Sequence, residues 1–236
     1  MLLQATLNGP YTKDNHPAIP VSPRELAEDA RTCVAEGARA IHVHPRDAYG
    51  AERLDPAVVD RVVSIVQDAC GMPVGVSTAA WVEPDLDRRI EMIRHWHAPD
   101  YAAVDLGEPG ATRTMEACLE AGIGVEAGLC SVEDVETLAA SGLGPLVLRI
   151  LIEPVEVPAA DAVPLVAAIH AALDRYDLRA PRLQHGNGDA AWILLADALR
   201  RGIDTRIGLE DTLRDPDGTL TEGNASLVRA VVHSAS

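Results

Sequence analysis

Residues 22–44, SPRELAEDARTCVAEGARAIHVH, contain one complete step of the fold. Ser22 offers a capping hydroxyl ahead of Pro23, whose fixed φ suits a first helical turn, so a helix is expected from Pro23 to Glu36. Gly37 ends it, because glycine accepts the left-handed conformation that closes a helix. The short apolar run Ala40 to His44 then reads as a strand. A capped helix, a glycine turn and a brief strand form the repeating step of βα units around a parallel sheet.

Outward from this stretch the step recurs until eight strand and helix pairs are drawn. Strands are expected at Leu2 to Leu7, Ala40 to His44, Pro73 to Ser77, Tyr101 to Leu106, Gly122 to Ala127, Leu146 to Ile152, Arg182 to His185 and Thr205 to Leu209. The helices run from about Pro23 to Glu36, Pro56 to Ala69, Pro84 to Trp96, Ala111 to Ala121, Val132 to Ala140, Ala160 to Arg175, Gly188 to Arg201 and Thr221 to His233. Asp55-Pro56 repeats the capped start, and Gly122, Gly142 and Gly202 repeat the stop. Barrels of the (β/α)8 type take roughly 200 to 400 residues, so 236 residues suit one α/β TIM-barrel domain spanning 1–236. A doubly wound open sheet is the rival architecture. The first strand ends in Asn8-Gly9-Pro10, however, and no GxGxxG follows any strand.

Charge narrows the partners. Lys and Arg number 20 against 36 Asp and Glu, a net charge of -16 that repels nucleic-acid backbones and anionic membrane surfaces. A phosphate-bearing ligand would need a local basic patch, for which Arg46, Arg88 and Arg89 are the candidates. Aromatic residues make up 3% and Phe is absent, so the core must be built from Leu, Val, Ile and Ala. The four cysteines form no CxxC pair, which argues against a thiolate metal cluster. No apolar run of ~18 residues and no leader pattern is seen, and a soluble cytoplasmic protein is expected.

Chemistry concentrates at strand ends. In Ile41-His42-Val43-His44 the two imidazoles stand two residues apart on a strand, so both face the same way. The eighth strand ends in Glu210 and Asp211, and in a closed barrel the first strand separates it from the second. His42, His44 and Glu210 can therefore converge as a two-His, one-carboxylate set that leaves a coordination position open. The alternative makes Glu210 and Asp211 acids leading a helix beside its dipole. Ser77, Thr78, Asp105, Glu126, Arg149, Gln184 and His185 line the same rim. His16, His95, His97, His170 and His233 fall on loops or helices, where solvated or core roles are expected.

The stretches Asn8-Gly9-Pro10, His42-Val43-His44, Gly75-Val76-Ser77-Thr78, Gly186-Asn187-Gly188 and Arg206 to Leu213, followed by Asn224 and Leu227, resemble those of the β-keto acid cleavage enzymes. The resemblance runs from residue 2 to about 232 and implies a divalent ion, zinc above all, with His42, His44 and Glu210 as its ligands. It implies condensation of a β-keto acid with acetyl-CoA, then cleavage to acetoacetate and a new acyl-CoA. Asp211 would be the base, Arg206 and Glu126 would position it, and Ser77 would bind the substrate carboxylate, with Thr78 and Asp105 beside it. A homo-oligomer, dimer or tetramer, is the accompanying expectation. Two departures stand out: Tyr11, near where the aminohexanoate-cleaving relatives carry an acid, and the loop Asp105-Leu106-Gly107-Glu108-Pro109.

Other readings of the same residues remain open. A metal-dependent hydrolase would also use HxH and a strand-eight acid, but in amidohydrolase barrels the HxH belongs on the first strand, with histidines on strands five and six. Here those strands carry Glu126 and Arg149. A keto-acid aldolase or lyase working without CoA would use the same enolate chemistry. A non-catalytic binding barrel leaves the convergent ionisable set unused.

Overall fold

The computed structural model describes residues 1–155 and 157–234. Its strands are β1 (Leu3–Thr6), β2 (Ala40–Val43), β3 (Val74–Ser77), β4 (Tyr101–Asp105), β5 (Gly124–Leu129), β6 (Arg149–Ile152), β7 (Arg182–Gln184) and β8 (Asp204–Ile207). Between and after them run α1 (Pro23–Glu36), α2 (Pro56–Cys70), α3 (Leu86–Arg94), α4 (Ala111–Glu120), α5 (Val132–Ser141), α6 (Ala159–Arg175), α7 (Ala191–Arg201) and α8 (Asn224–Ser234). All strands pair in parallel, in sequence order, and β8 closes on β1. The chain is thus a single (β/α)8 TIM barrel. No helix among the described residues is long and apolar enough to cross a membrane.

The local signals act as their chemistry requires. Ser22 accepts from the Glu25 amide and Glu25 answers at the Ser22 amide, a reciprocal cap, while Asp55 accepts from the Ala57 and Val58 amides. The buried core is mainly Leu, Val, Ile and Ala, as expected without Phe, with Trp96, Tyr101, Met115, Cys33 and Cys118 added to it. Expected boundaries shift where turns intervene. Leu146 lies in a 3-10 turn, Gly144–Leu146, so β6 begins only at Arg149. Gly122 has φ +77°, which ends α4 and cannot begin a strand, so β5 runs Gly124–Leu129. The stretch before α7 is likewise a 3-10 turn, Gly188–Ala190.

Two glycines set how closely the strands pack under the site. A Cβ on Gly75 would meet the Tyr101 ring at 1.9 Å, because that ring fills the space in the barrel interior. A Cβ on Gly208 would lie 1.9 Å from the Thr6 carbonyl oxygen, a backbone atom that cannot swing aside. Gly208→Ala is expected to cost about 1–3 kcal/mol or more, since overpacking of this kind forces backbone shifts. Chemical denaturation measures it, and an unchanged midpoint would show that β1 and β8 are not locked together here.

Asn224, at the start of α8, ties these strand ends to the helical layer. Its oxygen accepts from the Leu209 amide at 2.6 Å, and its amide nitrogen donates to Leu7 O and to Asp29 Oδ2. Burial pushes the Asp29 carboxyl up to about 6, with Asn224 pulling the other way. A carboxyl raised on folding contributes stability while it is protonated, and that contribution disappears as pH rises from the unfolded value through about 6. Asp29→Asn keeps an acceptor for Asn224 without the buried charge. It should raise stability by roughly 1–3 kcal/mol at pH 8, with the gain shrinking toward pH 4, as read from melting curves at both pH values.

Candidate metal centre and its surroundings

Strand register brings the site together. Thr6 of β1 pairs with His42, and β1 also pairs with β8, so the ends of β2 and β8 flank the end of β1. Asn8, just past β1, donates through Nδ2 to His44 O and accepts the His44 amide at Oδ1, fixing the backbone that carries the second imidazole. Gly9, with φ +50°, leaves the room that Glu210 takes: a Cβ there would meet Glu210 Cγ at 2.6 Å.

His42 Nε2 and His44 Nε2 each lie 3.8 Å from Glu210 Oε2. One donor atom from each of the three residues falls within 4.8 Å of the others. Glu210 Oε2 is buried and has no hydrogen-bond partner, while Oε1 accepts from Arg206 Nη2 at 2.9 Å. An unpaired carboxylate oxygen between two imidazole nitrogens is costly unless something cationic shares it. Ligand atoms about 2.0–2.2 Å from a common zinc ion fit such a space, so the donor set suits a divalent cation. Burial first, then the neighbouring His44 and Arg206, hold His42 well below the usual imidazole range, leaving it neutral as a ligand must be.

Beside the trio lies Asp211, with its side chain 0% exposed. Its Oδ2 accepts from Thr6 Oγ1 at 2.7 Å and its Oδ1 from the same Arg206 nitrogen at 2.8 Å. Burial alone would raise the Asp211 carboxyl, but Arg206, His185 and Thr6 outweigh it and hold it far below the usual range. His185 Nδ1 stands 3.4 Å from Asp211 Oδ1, and its Nε2 lies 3.2 Å from Glu153 Oε2. Burial would lower this imidazole, yet the two carboxylates prevail and raise it.

The cavity above holds about 330 Å³ and is bordered by His42, His44, Glu210, Ser77, Asp105 and Glu153. Thr78 also borders it, but its hydroxyl donates to Ala103 O at 2.8 Å. Ser77 Oγ accepts from the Ala79 amide, which leaves its proton free for a ligand. Burial, aided by Glu153, Glu108 and Asp134, pushes the Asp105 carboxyl up to about 6 against the Gly107 amide.

Some residues singled out in the sequence sit elsewhere. Glu126 lies deeper in the barrel, where Gln4 donates to it at 2.9 Å and Arg149 pairs with it at 3.2 Å. Among the described residues it has no hydrogen bond or ion pair to Arg206 or Asp211. Arg46 and Arg89 do not form a phosphate patch. Both are buried, Arg46 on Gly9 O and Tyr11 O, Arg89 on Glu108 and Pro109 O. His16 is a buried tie, its Nε2 donating to Thr221 O and its Nδ1 accepting the Ala18 amide. Glu153, Glu52 and Trp81 went unselected in the sequence. Glu153 could have been found by position, because it directly follows the sixth strand.

Fold and cluster together define a barrel protein with a candidate divalent-metal centre at the carboxyl ends of its strands. The chain belongs to the β-keto acid cleavage enzyme family, whose description matches residues 1–236. It is 26% identical over 98 residues to a 3,5-dioxohexanoate:acetyl-CoA acetone transferase of Paraburkholderia graminis, a match covering 41% of this chain and 31% of that one. It is also similar in fold to ObcA in its ternary complex with a C4-CoA adduct and oxalate, at TM-score 0.72 and 17% identity, over 92% of this chain and 64% of that one. A 3-dehydroquinate dehydratase from Geobacillus kaustophilus gives TM-score 0.65 at 13% identity, covering 100% of this chain and 92% of the other. This chain thus spans less than two thirds of the ObcA chain and matches under a third of the curated relative.

Proposed function

We propose that this chain condenses a β-keto acid with acetyl-CoA and cleaves the product to acetoacetate and a new acyl-CoA. His42, His44 and Glu210 hold a divalent cation, zinc in the first place, and a homo-oligomer in the cytoplasm is part of the same reading. The observation that carries it is one guanidinium nitrogen, Arg206 Nη2, shared by Glu210 Oε1 and Asp211 Oδ1. It sets the carboxylate whose other oxygen, Oε2, faces the two imidazoles beside an ionised carboxylate, the pairing needed to draw a proton from a carbon next to a polarised ketone.

A cation held by His42, His44 and Glu210 would supply Lewis-acid stabilisation of the charge that develops on the β-carbonyl. The chain's residues do the rest. Asp211 takes the proton from the carbon between ketone and carboxylate, and Arg206 and Thr6 keep it ionised and oriented until then. Ser77, whose hydroxyl proton is free, donates to the substrate carboxylate, with Thr78 and Asp105 shaping the wall beside it. Glu126, paired with Gln4 and Arg149 below this layer, helps position the base through its charge interaction with Arg206. Tyr11 borders the cavity in place of an acid, so a neutral side chain on the substrate suits this site better than an ammonium.

Metal analysis of the purified protein, with a panel of β-keto acids assayed with and without acetyl-CoA, tests this. Expected are about one divalent ion per chain and acetoacetate formation only when acetyl-CoA is present. Cleavage with metal alone would instead assign a lyase.

A further inference from the structure

We infer that Glu52 is a positioning residue for this centre: it fixes which nitrogen of His44 is offered to the cation, an inference that rests on the metal-supported reading above. Glu52 Oε2 lies 3.1 Å from His44 Nδ1, on the far side of the ring from the nitrogen that faces Glu210. A carboxylate only accepts, so Nδ1 carries the proton and Nε2 keeps its lone pair for the metal. The two imidazoles are unequal in this respect. His42 Nδ1 is buried and has no hydrogen-bond partner, so among the described residues the carboxylate support falls on His44 alone.

Glu52 is itself held in place. The loop after β2 turns back on itself through a bridge between Arg46 and Glu52 and through the Arg53 amide, which donates to Pro45 O. The Arg46 guanidinium, anchored on Gly9 O and Tyr11 O, stands 3.7 Å from Glu52 Oε1. From the loop after β3, Trp81 Nε1 donates to Glu52 Oε2 at 3.4 Å, and its ring stacks on His44 with centroids 6.3 Å apart. The glutamate side chain is 14% exposed, so water competes little for its oxygens. A carboxylate behind a ligating histidine orients the ring and raises its basicity, and losing such a partner typically weakens metal binding 10–100-fold.

The test measures zinc affinity of the full chain by competition with a chromophoric chelator, and the visible spectrum of the cobalt-loaded protein. Glu52→Ala, Glu52→Gln and wild type are compared, with melting curves of the metal-free proteins alongside. Glu52→Ala should weaken zinc binding roughly 10–100-fold and shift the cobalt bands, and Glu52→Gln, which keeps an acceptor oxygen, should recover part of both. A purely structural role would lower metal-free melting while leaving the cobalt spectrum of the folded protein alone, and that result overturns the inference. Affinities within twofold of wild type in both variants overturn it too. If Glu52→Ala does not fold, Glu52→Gln carries the comparison. If wild type takes up neither zinc nor cobalt, the metal-supported reading fails and this inference goes with it.

Discussion

Asp211→Asn is expected to lower turnover about 10²–10⁴-fold, the usual contribution of a general base, while metal content stays near one ion per chain. The substitution is nearly isosteric. Its remaining oxygen can face Arg206, and its amide can donate to Thr6 Oγ1, so both positions now bonded to the carboxylate stay satisfied. What it removes is the negative charge that Arg206, His185 and Thr6 hold ionised against burial. The candidate metal trio of His42, His44 and Glu210 does not include this side chain, so metal uptake should survive. Acetoacetate formation and metal per chain are measured on the same sample. Activity within a few-fold of wild type would remove Asp211 from the chemistry. Activity lost in step with metal would make it a support of the centre.

The convergence of His42, His44 and Glu210 was legible in the sequence because it follows from strand alternation and the order of strands in a closed ring. Period-two alternation turns His42 and His44 to one side, and ring closure places β8 and β2 on either side of β1. Depth along the barrel axis was not legible. Alternation says that Glu126 points inward, but the layer it occupies depends on the stagger of all eight strands, which places it with Gln4 and Arg149. Loop paths were equally hidden. Arg46 and Arg89 look like free cations until the loops close over them, and Glu52 and Trp81 meet at His44 from loops 29 residues apart in the chain. Strand β6 starts late for a related reason: the apolar run from Leu146 scores as strand, but Pro145 belongs to a 3-10 turn and delays pairing until Arg149.

Arg206→Lys should damage both halves of the site, because Nη2 is the donor to Glu210 Oε1 and to Asp211 Oδ1 at once. From the sequence alone one would expect this change to spare the metal, since Arg206 looks like a partner of the base only. The shared nitrogen alters that expectation. Lysine carries its charge on a single point at the end of a flexible stem and lacks the planar guanidinium that holds both contacts in register. Arg206 is 3% exposed, so water cannot replace a lost contact, and a poorly paired carboxylate in such a place typically costs several kcal/mol. Without that guanidinium, burial raises the Asp211 carboxyl, and a protonated Asp211 could not serve as the proposed base. A Glu210 side chain no longer held through Oε1 would be a less well oriented candidate ligand. Turnover is therefore expected to fall at least about 100-fold, and zinc affinity about tenfold, with the metal loss partly reversed by excess zinc. Full metal affinity with low turnover would confine Arg206 to the base. Full turnover would show that neither carboxylate depends on it.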